Sequence, residues 1–150
     1  MKPPAWLFRF LLNLWPPFLG AGIRVKRLAA DFSDIEVQLK LSFGNRNYVG
    51  THFGGSLYAM TDPFFMLMLM HQLGRDYYVW DKSGSIDYLK PGRGTVRAHF
   101  RLTPETLDEV RRHTAHGDKY LPQLLVDVVD QQGEVVARVH KTLYVKRKKR

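Results

Sequence analysis

Residues 55–74 carry Leu57, Tyr58, Met60, Phe64, Phe65, Met66, Leu67, Met68, Leu69 and Met70, with Asp62 as their single formal charge. A helix so apolar on every side has to be wrapped by protein or inserted in lipid. The stretch is long enough to cross a bilayer, but Gly55 and Pro63 break its regularity and no basic flank brackets it. A long central helix buried inside a curled sheet is the simpler solution. The rest of the chain has to supply that sheet.

The flanking sequence reads as strands. Ile23 and Val25 alternate with Arg24 and Lys26, and Ile35, Val37, Leu39 and Leu41 alternate with Glu36, Gln38 and Lys40. A turn at 31–34 makes these two an antiparallel hairpin, and the polar, glycine-bounded loop 44–50 follows. Residues 77–89 form a strand that passes through the turn Lys90-Pro91-Gly92-Arg93-Gly94 into a second strand, 95–102. Thr103 or its neighbour caps a short helix, with Pro104 in the first turn, acids early and Arg111-Arg112 late. Residues 121–129 and 135–145 form a last hairpin about Asp130-Gln131-Gln132-Gly133. A long helix against about six antiparallel strands is an α+β arrangement, and 150 residues suit one domain. An all-apolar helix needs more cover than one sheet face gives, and sheet edges must be managed, so a homodimer or tetramer is expected.

Composition removes several classes of function. At 45% hydrophobic and 13% aromatic the chain is not a disordered one, and with no cysteine it has no disulfide, thiolate zinc site or thiol nucleophile. The net charge is +9, of which Lys146, Arg147, Lys148, Lys149 and Arg150 supply five, leaving 9 − 5 = +4. That basic tail is either a solvated end or a surface for an anion such as nucleic acid, a nucleotide phosphate or a membrane. Near the amino terminus, residues 5–15 form a greasy run interrupted by Arg9 and Asn13 and ended by Pro16-Pro17. Eleven residues of helix rise about 16 Å, half a bilayer core. The poor cleavage site at 18–22 argues against export. The run reads as a short amphipathic helix on the domain or on a membrane surface, in a cytoplasmic protein.

The chemistry-bearing constellation is Asn47-x-x-Gly50-x-His52-Phe53-Gly54-Gly55, with Asp62 seven residues past Gly55. A glycine pair at a helix start lets another group approach the backbone, where first-turn amides stand unpaired and suit charge growing on a carbonyl oxygen. At about 100° per residue, seven positions return to nearly the same stripe of a straight helix. Asp62 would then lie two turns below Gly55, desolvated by Phe64, Phe65 and Met66 and sharpened as a base. Asp-Pro is equally how a helix begins, with Asp62 as N-cap and Pro63 at its first position. His71, nine positions on, falls on the opposite side of the helix from Asp62.

This order of residues resembles the hotdog-fold acyl-CoA thioesterases of the PaaI-like group, closest to a poorly characterised bacterial branch. Their pattern is Asn-x-x-Gly-x-x-His-Gly-Gly with an Asp or Glu seven residues later. Asn47, Gly50, Gly54, Gly55 and Asp62 match it, and the similarity extends over residues 23–145. The resemblance implies a hotdog fold and hydrolysis of acyl-CoA thioesters at a dimer interface. It makes the Gly54 amide the polariser of the carbonyl, Asp62 the general base or nucleophile from the facing subunit, and Asn47 an orienting group. Phe53 stands where the family has His, so His52 is either displaced into the site or a surface loop residue. Asp81 falls near the position of a water-orienting hydroxyl in relatives, or else it pairs with Lys82 or a neighbouring arginine. Lys90 and Arg93 suit the phosphates of CoA, or a solvated turn. The expected site is therefore Asp62, Asn47, Gly54, Gly55, His52 and Asp81, with Lys90 and Arg93 for CoA. No metal and no cofactor beyond the CoA of the substrate is expected.

Two other readings stay open: a hotdog module that binds acyl-CoA or acyl-carrier protein without turnover, and a basic protein acting at nucleic acid or a membrane surface. The thioesterase reading expects no nucleic acid and only a weak membrane contact through the first helix.

Overall fold

The computed structural model of the protein describes residues 2–149. Along the chain run α1 (Ala5–Leu14), α2 (Pro16–Ala21), β1 (Ile23–Leu28), β2 (Asp34–Lys40), α3 (Gly54–Ala59) and α4 (Phe64–Leu73). They are followed by β3 (Tyr77–Tyr88), β4 (Thr95–Arg101), α5 (Pro104–His113), β5 (Lys119–Tyr120), β6 (Gln123–Val129) and β7 (Val135–Arg147). The strands form one antiparallel seven-stranded sheet in the order β1-β2-β4-β6-β7-β3, with the short β5 alongside β7. It wraps the α3–α4 segment as a hotdog fold does. Phe64, Phe65, Met68 and Leu69 of α4 are buried against Val37, Val96, Phe100, Val139, Leu143 and other inward strand residues.

The central helix is not continuous. Pro63 has no N–H to offer the carbonyl of Ala59, four residues back, and its ring crowds that carbonyl. The chain tightens instead: Thr61 N–H donates to the Tyr58 carbonyl at 3.0 Å and Asp62 N–H to that of Ala59 at 3.2 Å, before α4 starts afresh. The single helix expected over 55–74 is thus two helices joined by a turn, and the stripe argument linking Gly55 to Asp62 does not hold across it. The α2 turn and β5 are additions to the expected layout.

The two sheet edges are treated differently. Asn13 of α1 donates to the Val25 carbonyl at 3.1 Å and accepts from the Val25 N–H at 2.7 Å, while Arg9 Nη1 donates to the Lys26 carbonyl at 2.9 Å. Helix α1 therefore occupies the hydrogen-bonding edge of β1, as a neighbouring strand would. At the other edge β3 pairs with β7 from Tyr77↔Arg147 to Tyr88↔Ala137, and among the described residues no strand lies on its far side. None of its twelve residues is buried. No described helix is long and apolar enough to cross a membrane.

Candidate active site

Lys141 lies at an inward position of β7 between Val139 and Leu143, and its side chain is only 2% exposed. Its ammonium donates to Asp62 Oδ1 at 3.0 Å, stands 3.4 Å from Asp81 Oδ1, and lies 5.4 Å from the centre of the Tyr58 ring. Burial pulls the Lys141 pKa down, but the hydrogen bond to Asp62 and the charges of Asp81 and Asp62 outweigh it and hold the group above the ordinary lysine value. Asp81 is also raised, here by burial itself, against the opposing charge of Lys141.

Local structure explains how these groups meet. Residues three apart on a strand ordinarily face opposite ways. The register slips between Asp81 and Ser83, so Asp81 pairs with Leu143 and Gly84 with Lys141, both inward residues of β7. Gly84 has to be glycine-small: a Cβ there would strike the Tyr58 hydroxyl and come within 3.2 Å of the Lys141 stem. Asp62 sits in the turn between the helices with its side chain 55% exposed, so the apolar neighbours expected to desolvate it do not cover it. Nor does it cap α4, which makes no side-chain cap hydrogen bond. Its carboxylate is held by Lys141 through one oxygen.

A second group of expected residues lines a cleft of about 600 Å³ formed by Asn47, Thr51, His52, Phe53, Gly54, Gly55, Leu57 and the stretch from Tyr88 to Gly92. Gly54 and Gly55 are the first residues of α3, and among the described residues no acceptor is bonded to their N–H groups. With six residues, α3 offers amides more than a macrodipole. The Tyr88 hydroxyl stands where a Gly54 side chain would be, 2.8 Å from that Cβ position, and the Phe53 ring does the same at Gly55, at 2.6 Å. Both glycines therefore leave room for a neighbouring ring.

His52 is buried rather than on the surface. Its N–H donates to the Gly92 carbonyl and its ring Nε2 faces the Gly94 carbonyl at 2.8 Å. That assigns the hydrogen to Nε2 and leaves Nδ1 a buried acceptor with no partner among the described residues. Burial lowers its pKa, against the bond to Gly94. Asn47 is committed to its own loop: Nδ2 donates to Thr51 Oγ1 and Oδ1 accepts from the Val49 and Thr51 N–H groups. It lines the cleft as part of that loop, with its amide atoms already spent there. Lys90 is taken by Asp130 at 2.7 Å and by Glu134, whereas Arg93 is exposed and has no ion pair among the described residues. His71 stacks on Phe32 and meets Phe8 edge-on.

Sequence reasoning brought Asp62 and Asp81 forward separately and missed Lys141, which joins them. A lysine at an inward position of an otherwise alternating strand was the available signal.

Over residues 5–145 the sequence matches the family described as Domain of unknown function (DUF4442), and the chain belongs to that family. No curated protein matches it in sequence. Similar solved structures include a Pseudomonas aeruginosa protein of unknown function named a probable thioesterase, at 22% identity and a TM-score of 0.83 over 98% of both chains. A Haemophilus influenzae thioesterase is 15% identical with a TM-score of 0.69, over 98% of this chain and 93% of its own. The PaaI protein of the E. coli phenylacetic acid degradation operon is 18% identical with a TM-score of 0.64, over 96% and 93%. At these identities the shared property is the fold.

Proposed function

We propose that the protein hydrolyses acyl-CoA thioesters at two equivalent sites, each assembled from both subunits of a dimer that pairs through β3. The carrying observation is the position of the two half-sites along that strand. Gly54 lies against Tyr88 at its end, whereas Asp62 is tied through Lys141 to Asp81 and Gly84 at its middle. Gly54 and Asp62 are eight residues apart along a mostly helical path, about 12 Å at 1.5 Å per residue, too far for the two halves of one chain to act on one bond. A two-fold axis that passes between Gly84 and Tyr88 and pairs two β3 edges antiparallel sets the middle of one strand against the end of the other. Asp62 of one subunit is then brought toward the Gly54 amide of its partner, as in the family this sequence resembles. The β1 edge is filled by α1 and the β3 edge is open, which supports β3 as the mating edge.

In this arrangement the thioester carbonyl rests on the Gly54 N–H, with Leu57, Phe53 and Leu89 as apolar wall, and the exposed Arg93, next in the chain after the last lining residue, Gly92, serves as the cation for CoA phosphate. Lys141 holds Asp62 through Oδ1 and leaves Oδ2 to receive a proton from water. The water oxygen adds to the carbonyl carbon, and the negative charge that forms on the carbonyl oxygen meets the amide. Collapse breaks the carbon–sulfur bond, and the departing thiolate takes the proton from Asp62. The products are free acid and CoA. Asp81 is a positioning residue that fixes Lys141 from the strand side.

Release of CoA from a panel of acyl-CoAs, followed with a thiol reagent, tests the proposal. Wild type turns over at least one chain length, and Asp62→Asn lowers kcat by about a hundredfold or more. A wild type inactive on every chain length yet thermally stabilised by CoA esters would make the protein a binding module instead.

A further inference from the structure

We infer that α1 docks the protein onto an anionic lipid bilayer, its outward face entering the headgroup region while a basic rim meets the lipid phosphates. The helix is built inside out for a surface helix. At about 100° per residue, Trp6, Phe10, Leu14 and Leu11 fall within an arc of about 140°. They are 68%, 56%, 50% and 50% exposed, and no residue of α1 is buried. Ala5, Phe8 and Leu12 face the domain, and the two polar side chains, Arg9 and Asn13, lie on the flank beside Trp6, where they are bonded to the edge of β1. A helix meant for water turns its polar side outward. Here the only two polar side chains are spent on the edge of β1, and the broad outward arc is aromatic and aliphatic. Trp15 and Leu19 extend the apolar surface past the helix end, above a groove of about 580 Å³ floored by Pro63, Met66 and Leu67.

Charge identifies the occupant. The first thirty residues contain Lys2, Arg9, Arg24, Lys26 and Arg27 and no acid. Arg27 is neutralised by Asp34 and Glu36, whereas Arg24 and Lys26 are exposed with no ion pair among the described residues. Lys2, Arg75 and Lys148 line a hollow beside Phe8. Tryptophan with leucine and phenylalanine on one face, rimmed by lysine and arginine, matches the interface of an anionic membrane. A second copy fits poorly, because a two-fold axis through this face would set its basic rim against itself. Nucleic acid suits the charge but offers nothing to the apolar face. Ten residues rise about 15 Å, so the helix lies in the surface and does not span it. The apolar face and its groove contain no residue of β3 and none of the cleft at Gly54, so the test reads lipid binding separately from turnover.

Flotation with lipid vesicles tests it. The full chain floats with vesicles of phosphatidylcholine containing about a third phosphatidylglycerol, is left behind by phosphatidylcholine alone, and is released by high salt. Its tryptophan fluorescence shifts to the blue on the anionic vesicles. Trp6→Ser combined with Phe10→Ser and Leu14→Ser weakens partitioning by about tenfold or more without moving the melting temperature. Arg24→Gln with Lys26→Gln weakens it and lowers its salt sensitivity. Absence of flotation and of the blue shift for wild type overturns the inference. So does a triple variant that floats like wild type, or one whose only change is a smaller mass by light scattering, which would put a second copy on this face. Binding to duplex DNA in place of vesicles overturns it as well.

Discussion

The ammonium of Lys141 reaches from β7 to Asp62 Oδ1, 3.0 Å away, and joins positions 79 residues apart in sequence. Among the described residues it is the one formally charged side chain that the fold buries, and it lies between two carboxylates. Lys141→Met removes the only hydrogen-bond donor on Asp62 among the described residues and leaves Asp81 facing an apolar wall. The expected loss is about 2 kcal/mol of stability, or about 4–8 °C of melting temperature, with a roughly hundredfold fall in kcat. Adding Asp81→Asn to Lys141→Met restores much of the stability and none of the activity. Thermal melts alongside turnover separate the two effects, and recovery of both together would remove Lys141 from the site.

Gly84 and Tyr58 form a second testable pair. An alanine methyl at Gly84 has to displace the Tyr58 hydroxyl and press on the Lys141 stem, so Gly84→Ala destabilises by about 1–3 kcal/mol through overpacking. Tyr58→Phe takes away the nearest obstructing atom. In a double-mutant cycle monitored by urea unfolding, the pair is expected to be markedly more stable than Gly84→Ala alone. Additive losses would mean that the two side chains do not meet.

Acid should weaken the fold from near neutrality downward. Burial lowers the pKa of His52, and burial with the charge of Lys2 lowers that of His71. The unfolded chain therefore binds protons near the ordinary value of 6.5 while the folded chain resists them. Stability is full above that pH and is lost as pH falls through it toward the depressed folded values. Melting temperatures measured from pH 8 to pH 5, about the range in which histidine titrates, should be level at the alkaline end and fall at the acid end. His52→Gln, which keeps a donor for the Gly94 carbonyl, flattens part of the fall. A profile unchanged by that substitution would take His52 out of the account.

Much of the architecture was legible in the sequence, and what was not had tertiary causes. The alternation of Ile35, Val37 and Leu39 with Glu36 and Gln38 marked β2, because one face of that strand is buried and the other is not. Thr103 caps α5 as its sequence suggests, accepting from the Thr106 N–H. Asp62-Pro63 announced a helix start, and α4 does begin there, yet the glycine pair also starts a helix, so both local signals were obeyed and the segment broke between them. His52 carried no sign of burial, since the carbonyls of Gly92 and Gly94 that enclose it come from forty residues downstream. The sequence offers Lys82 or a neighbouring arginine as the partner of Asp81, but a side chain on a strand meets its cross-strand neighbours, and Lys141 is one of those.

Subunit complementation tests the shared site most directly. Asp62→Asn and Gly54→Val are each inactive alone, the second because its side chain meets the Tyr88 hydroxyl and fills the cleft beside the amide. Refolded together in equal amounts, half the dimers are mixed and each mixed dimer holds one intact site, so thioesterase activity should return to about a quarter of wild type. A mixture as inactive as either variant, with mixed dimers shown to be present, would contradict a site built across β3 from Asp62 of one subunit and Gly54 of the other.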